Sequence, residues 1–146
     1  MMAVDAKLLR GLSPFSSLSE EKLEKVAELC VERMISAGQI FFREGEPGIA
    51  IFVVPQGDVE VLFTIGREAL ASIEWVGTGE VLGIRAFIPP YRYLSTARCL
   101  TEGCMLAIDA VKLRELIEQD GRLAISIHEC FMQAMLNRVA SLRSKT

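Results

Sequence analysis

Apolar residues recur at helical intervals near both ends of the chain and at strand-like intervals between them. Ser19 opens the first legible helix: its hydroxyl can cap the backbone donors that follow, and Glu20 and Glu21 suit the positive end of the helix dipole. Leu18 and Leu23 stand where a hydrophobic staple closes. Leu23, Val26, Ala27 and Cys30 then repeat at helical spacing and define one apolar face. From Val31 the period changes, and short apolar or alternating runs predict strands at about 31–35, 39–43, 49–54, 58–63, 69–75, 81–84, 95–101 and 104–108. Turn signals separate them, among them Ala37-Gly38, Gln56-Gly57-Asp58, Gly77-Thr78-Gly79 and Glu102-Gly103. Many short strands spaced this way predict a sandwich or jelly-roll barrel.

Helix returns at Asp109, a good N-cap, with Val111, Leu113, Leu116 and Ile117 on its inner side. Asp120-Gly121 reads as a break in which the glycine takes the left-handed conformation cheaply. A long helix over about 122–142 follows, with two apolar stripes. Leu123, Ala124, Ile127, Phe131, Ala134, Met135 and Leu142 form one; Ile125, Met132, Leu136 and Val139 form the other, with Ser126, Gln133 and Asn137 in a polar wedge. A surface helix needs only one apolar stripe. The second predicts a partner, most simply the same helix of another copy, so Ile125, Met132, Leu136 and Val139 are the expected homodimer interface.

Composition narrows this. A length of 146 residues suits one domain, and a fold of this size buries roughly 70% of its unfolded surface without a metal or disulfide staple. With 51% hydrophobic and 24% charged residues the chain is not intrinsically disordered, and its net charge of −3 argues against a nucleic-acid face. The longest apolar run, Ile49 to Val54, stops at Pro55, far short of the ~20 residues of a membrane helix. Met1 to Arg10 carries Asp5 and no apolar core, so it does not read as a signal peptide. Cys30, Cys99, Cys104 and Cys130 contain no CxxC pair; reduced thiols and a cytoplasmic location are expected.

Particular residues carry a resemblance. Leu9 to Phe15 and Leu18 to Leu23, then Gly38-Gln39-Ile40-Phe41-Phe42-Arg43-Glu44-Gly45-Glu46-Pro47-Gly48, Ile51 to Val54, Gly57 and Val59-Glu60-Val61 resemble the cyclic nucleotide-binding domain family, over about residues 7–143. The family supplies the sensor domains of catabolite-activator-type regulators, cAMP-dependent kinase regulatory subunits and nucleotide-gated channels. The resemblance implies a mainly β fold with flanking helices: N-terminal helices at 7–30, a double-stranded β-helix (jelly-roll) barrel at 31–108 and C-terminal helices at 109–143, in a single domain over 1–146. Catabolite-activator-type regulators carry a winged helix-turn-helix after the long helix. Here the chain ends at Thr146, so a stand-alone sensor domain without that module, and no direct DNA binding, is expected. The basic residues Arg138, Arg143 and Lys145 read as favourable charge at a helix C-terminus.

The resemblance also locates a ligand site. The family's phosphate-binding cassette should span Gly83 to Cys99, and its working form is Gly-Glu-x-Ala, then an Arg, then a small residue and Ser or Thr. Backbone N–H groups of a short turn cradle the cyclic phosphate, the Arg pairs with its charge and the Glu takes the ribose 2′-hydroxyl. Gly83 and Ala86 match that pattern, whereas Ile84 stands at the Glu position. Tyr93 falls on the Arg position, Arg92 comes one residue early, and Ser95 and Thr96 match the small polar end. Either Arg92 or Arg85 could reach inward. Losing one hydrogen bond to a charged group costs roughly 1.5–3 kcal/mol. Losing both would weaken cyclic-nucleotide binding by roughly two to four orders of magnitude. The ligand candidates are cAMP or cGMP, or another small, less polar or differently charged molecule; the alternative is a ligand-free dimerisation or scaffold module. A pocket filled by Ile84, Tyr93 and Phe87 would favour the scaffold, and an open one with Arg85 or Arg92 facing in would favour the sensor.

Other chemistry is sparse. His128, the single histidine, has no neighbour at metal-ligand spacing and reads as an interface or core residue. Cys99 beside Arg98 is the one candidate thiol sensor, set against a small buried hydrophobe. Glu44 and Glu46 read as a solvated hairpin tip and Trp75 as a barrel or rim residue. No nucleophile–base pair, GxSxG, HExxH or P-loop is present, so neither a catalytic nor a metal site is assigned. A non-enzymatic sensor signalling through its C-terminal helix to a protein partner is the function expected.

Overall fold

A computed structural model describes residues 2–12, 15–65, 69–77 and 79–145, with segments 2–3, 69–76 and 141–145 as backbone only. Nine strands lie among the described residues: β1 Met2–Ala3, β2 Cys30–Ile35, β3 Ile40–Phe42, β4 Ala50–Gln56, β5 Val59–Ile65, β6 Ala69–Val76, β7 Val81–Leu82, β8 Thr96–Cys99 and β9 Gly103–Asp109. They form two antiparallel sheets, ordered β1-β2-β9-β4-β7 and β3-β8-β5-β6. This is the expected mainly β barrel with flanking helices. Each predicted strand is present, moved by one or two residues at its ends. The exception is the β1 pairing of Met2 with Glu32 and Ala3 with Val31, a strand too short to carry a pattern.

Strand β4 reads as an unbroken apolar run because it is central, flanked by β9 and β7, and Ala50 to Val54 are all buried. Phe52 meets Phe41 edge-on and stacks on Phe42, which stacks in turn on Tyr93 at 4.3 Å between ring centres. On the second sheet Glu60 and Arg98 are direct cross-strand neighbours and form an ion pair over a nearly buried carboxylate.

Helix α1 Ala6–Arg10 and α2 Glu20–Ala27 precede the barrel, and α3 Ala110–Gln119 and α4 Gly121–Lys145 follow it. The Ser19 and Asp109 side chains cap as anticipated, accepting from Lys22 N–H at 3.3 Å and Lys112 N–H at 3.0 Å. Two boundaries differ from the sequence reading. Helix α2 stops at Ala27, so Cys30 opens β2; its buried side chain fits both patterns. Gly121 is not left-handed. Asp120 makes the break instead: its backbone is extended, its carboxylate caps Leu123 N–H at 3.1 Å, and it accepts a 2.8 Å bond from Lys25 Nζ. That lysine holds the Asp120 carboxyl below the usual carboxylate range.

Leu123, Ile127, Cys130 and Phe131 anchor α4 in the core, with Phe131 edge-on to Phe15. Ser126 touches α2, accepting from Lys22 Nζ at 2.6 Å. Of the predicted inner stripe, Met135 is half exposed; the side chain of Leu142 and that of Trp75 lie outside the described residues. No helix among the described residues is long and apolar enough to cross a membrane.

Candidate functional site

Between β7 and β8 the chain leaves the sheet. The predicted strand over 81–84 ends at Leu82, because Gly83 takes a left-handed φ of 77° and starts a 3₁₀ turn, Ile84–Phe87. A side chain at Gly83 would meet the Tyr93 ring at 3.0 Å. Gly48 is more tightly held: a Cβ there would lie 2.5 Å from the Ala86 Cα. The turn therefore seats directly against the β3–β4 connection, and Gly48 with Ala86 makes that approach. A Gly48→Ala substitution is expected to cost about 1–3 kcal/mol, as overpacking of a closed contact does. A lowered midpoint in a denaturant melt would register it, and an unchanged midpoint would count against the tight seat.

Four predicted residues beside the turn have separate fates. Arg92 is exposed and points away, with Nη1 donating to the Gly45 carbonyl at 2.8 Å. Tyr93 is buried, and its hydroxyl donates to the Ala50 carbonyl at 2.6 Å and accepts from Ala50 N–H at 3.1 Å. Burial pushes the Tyr93 phenol above its ordinary range. Thr96 turns its hydroxyl to Glu44 N–H at 3.0 Å, and Ser95 faces a cavity.

That cavity, about 300 Å³, brings together Gly83, Ile84, Arg85, Tyr93 and Ser95 with Phe42, Val61, Phe63, Ile88 and Leu94, and with Met135 and Arg138 from α4. Of the predicted set, Ala86, Arg92 and Thr96 do not line it. Between the two candidate arginines the geometry is decisive: Arg85 lines the cavity and Arg92 does not. Arg85 Nε is buried without a hydrogen-bond partner among the described residues.

Arg138 is the residue sequence reasoning placed elsewhere. It is not simply charge at a helix end, since it reaches back and donates to the Val81 carbonyl at 2.6 Å. Met135 and Arg138 lie three apart on α4, and that i, i+3 pairing on the inner side was the available signal. The side chains of Arg143 and Lys145 lie outside the described residues.

The turn is tied to both C-terminal helices. Arg114 of α3 donates to the Ala86 carbonyl and its guanidinium sits 4.1 Å from the Tyr91 ring centre. Phe87 packs edge-on against Phe131 of α4 at 5.2 Å and lies 5.0 Å from the His128 ring. His128 is exposed, its Nδ1 at 2.6 Å from the Ala124 carbonyl, so it is not a core residue. Cys99 is fully buried with its thiol pushed up by burial, and Arg98 beside it is paired to Glu60, which removes the conditions for a reactive thiolate. Burial likewise pushes Cys30 up to about 12. Glu44 is not merely solvated: its Oε1 accepts from Thr64 N–H at 3.0 Å. Among the described residues no group of acidic, histidine or cysteine side chains could hold a metal ion.

Residues 32–120 match the cyclic nucleotide-binding domain family. The chain belongs to that family. It is 29% identical over 115 residues to a candidate potassium channel protein of Rhodopseudomonas palustris, covering 79% of this chain and 27% of that one. It is 31% identical over 81 residues to a cGMP-dependent protein kinase of Caenorhabditis briggsae, covering 55% and 11%. The chain thus spans about a quarter or less of these curated relatives. Among solved structures, a candidate cyclic nucleotide-binding protein of Geobacter metallireducens superposes with a TM-score of 0.85 at 25% identity, covering 93% of this chain and 98% of that one. The cyclic nucleotide-binding domain is a regulatory module, and its matches to the kinase are confined to that part.

Proposed function

We propose that this domain is a small-ligand sensor whose cassette cavity does not take cAMP or cGMP in the family's usual pose. One observation carries this reading: Tyr93 occupies the arginine's place with its hydroxyl already committed to Ala50, while Arg92 faces out to Gly45. Ile84, at the position of the ribose-binding glutamate, adds only an apolar surface to the cavity. Gly83, Ile84, Arg85, Tyr93 and Ser95 would contact the ligand directly, while Ala86 and Thr96 set the turn and strand around it.

Occupancy of the cavity would reach α4 by two routes, Phe87 against Phe131 and the Met135–Arg138 edge of the helix itself. That makes α4 the element a ligand can bias, and through it a protein partner. The outer stripe of α4 is the surface for a second copy. Ile125, Met132 and Val139 recur every seven residues with Leu136 four after Met132, the spacing of a coiled-coil seam.

The scaffold alternative draws on the burial of Ile84, Phe87 and Tyr93. The cavity that remains beside them, lined by Arg85, favours the sensor. Calorimetric titration tests the reading. With both contacts to the nucleotide missing, cAMP and cGMP should bind about two to four orders of magnitude more weakly than at an intact site, in the millimolar range. Micromolar binding abolished by Arg92→Ala or Arg85→Ala would overturn it.

A further inference from the structure

The polarity of the cavity wall specifies an occupant. Its polar side chains are two guanidinium groups, Arg85 and Arg138, and the Ser95 hydroxyl; no described carboxylate lines it. The fourth polar group, the Tyr93 hydroxyl, is spent on the Ala50 backbone. Phe42, Val61, Ile84 and Met135 represent the rest of the wall, which is apolar. A cyclic nucleotide brings ribose and base donors that need acceptors, and this wall offers few. An anion on an apolar body needs only donors at one point and hydrocarbon elsewhere.

Arg85 supplies the independent sign of a missing acceptor. A buried donor is almost always paired, because an unpaired one forfeits its hydration without return. Arg85 Nε is buried and has no partner among the described residues. Arg138, from the other wall, holds the Val81 carbonyl. A carboxylate exceeds a backbone carbonyl as an acceptor for guanidinium, since both partners are then charged.

We propose that the cavity binds a hydrophobic monocarboxylate, its carboxylate held between Arg85 of the cassette turn and Arg138 of α4 and its hydrocarbon against the aromatic and aliphatic wall. The assignment rests on the small-ligand reading above and goes beyond it in naming the ligand class. It also makes Arg138 the point where barrel and helix share the ligand. Bound carboxylate draws that side chain from Val81, so occupancy alters how α4 is tied to β7.

Three probes with one alkyl body separate charge from hydrophobicity: octanoate, octanamide and octylammonium, titrated calorimetrically into the intact protein beside cAMP. Octanoate should bind about ten-fold or more tighter than octanamide, and octylammonium not at all. Arg85→Gln and Arg138→Gln should each weaken octanoate about ten- to a hundred-fold and weaken octanamide, a neutral acceptor, much less. Circular dichroism melts of both variants establish that they are folded. Equal binding of octanoate and octanamide, or octanoate affinity unchanged in Arg85→Gln, would overturn the carboxylate assignment and leave a small-ligand sensor standing. Silence from all four compounds at millimolar concentration would overturn the assignment and favour the scaffold. Micromolar cAMP with no octanoate binding would overturn both readings at once.

Discussion

Tyr93→Ala should remove about 4–8 kcal/mol of stability, enough to leave the domain unfolded or nearly so if its total lies in the usual range of about 5–15 kcal/mol. The reason lies in how β4 begins. Strand β7 pairs Leu82 with Phe52, and by that register residue 84 would pair with Ala50. Gly83 turns the chain away before it can. The Tyr93 hydroxyl takes both Ala50 backbone groups in place of the missing strand residue, and its ring stacks on Phe42. Truncating a large buried aromatic costs roughly 3–5 kcal/mol. Stranding the Ala50 N–H and carbonyl adds about 1–3 kcal/mol. Tyr93→Phe keeps the ring and isolates the second contribution, so it should lower stability by about 1–3 kcal/mol. Urea melts with unchanged slope would check both values. A Tyr93→Ala loss under about 2 kcal/mol would mean the hydroxyl and ring are not the ladder's substitute.

The same residue shows where sequence reading reaches and stops. Strands, caps and the break at Gly83 are legible because each depends on local pattern: period-two runs between glycine turns, Ser19 and Asp109 before apolar periodicity, and Gly83 with Ala86 close behind it. Alignment placed Tyr93 at the arginine position, but its structural duty was invisible, since the partner Ala50 is 43 residues away. Choosing between Arg85 and Arg92 was equally out of reach. That choice turns on the backbone path leading into Arg92, and Tyr91 just before it adopts a left-handed φ of 60° that no propensity foretells. Arg138 escapes sequence reading for a related reason. A cation near the end of a helix has a ready local explanation, whereas its bond to Val81 spans 57 residues. Asp120 outdid Gly121 at the helix break because its carboxylate satisfied both the α4 cap and Lys25.

Introducing Met132→Glu with Leu136→Glu should convert the proposed dimer of about 32 kDa, twice the 16.1 kDa chain, into monomers by light scattering. Ile125, Met132, Leu136 and Val139 are 64%, 64%, 58% and 52% exposed, so the described residues leave more than half of each uncovered. A two-fold axis beside α4 would bring each stripe against itself, a self-complementary arrangement that needs no second surface. Two glutamates per chain would place four carboxylates in an apolar seam, and burying unpaired charge there is far costlier than leaving the helices apart. The fold should survive, because the core-facing anchors Leu123, Ile127 and Phe131 are untouched. Wild-type protein that is monomeric at about 100 μM, where a micromolar dimer would be almost fully formed, would refute the seam. Leu136 and Val139 of the seam alternate with Met135 and Arg138 of the cavity wall along the same turn of helix. On the proposed dimer, a ligand that repositions Arg138 would act on the seam, and by linkage dimerisation would then act on ligand affinity. The glutamate variant should then bind octanoate with an affinity that no longer depends on protein concentration, unlike the wild type.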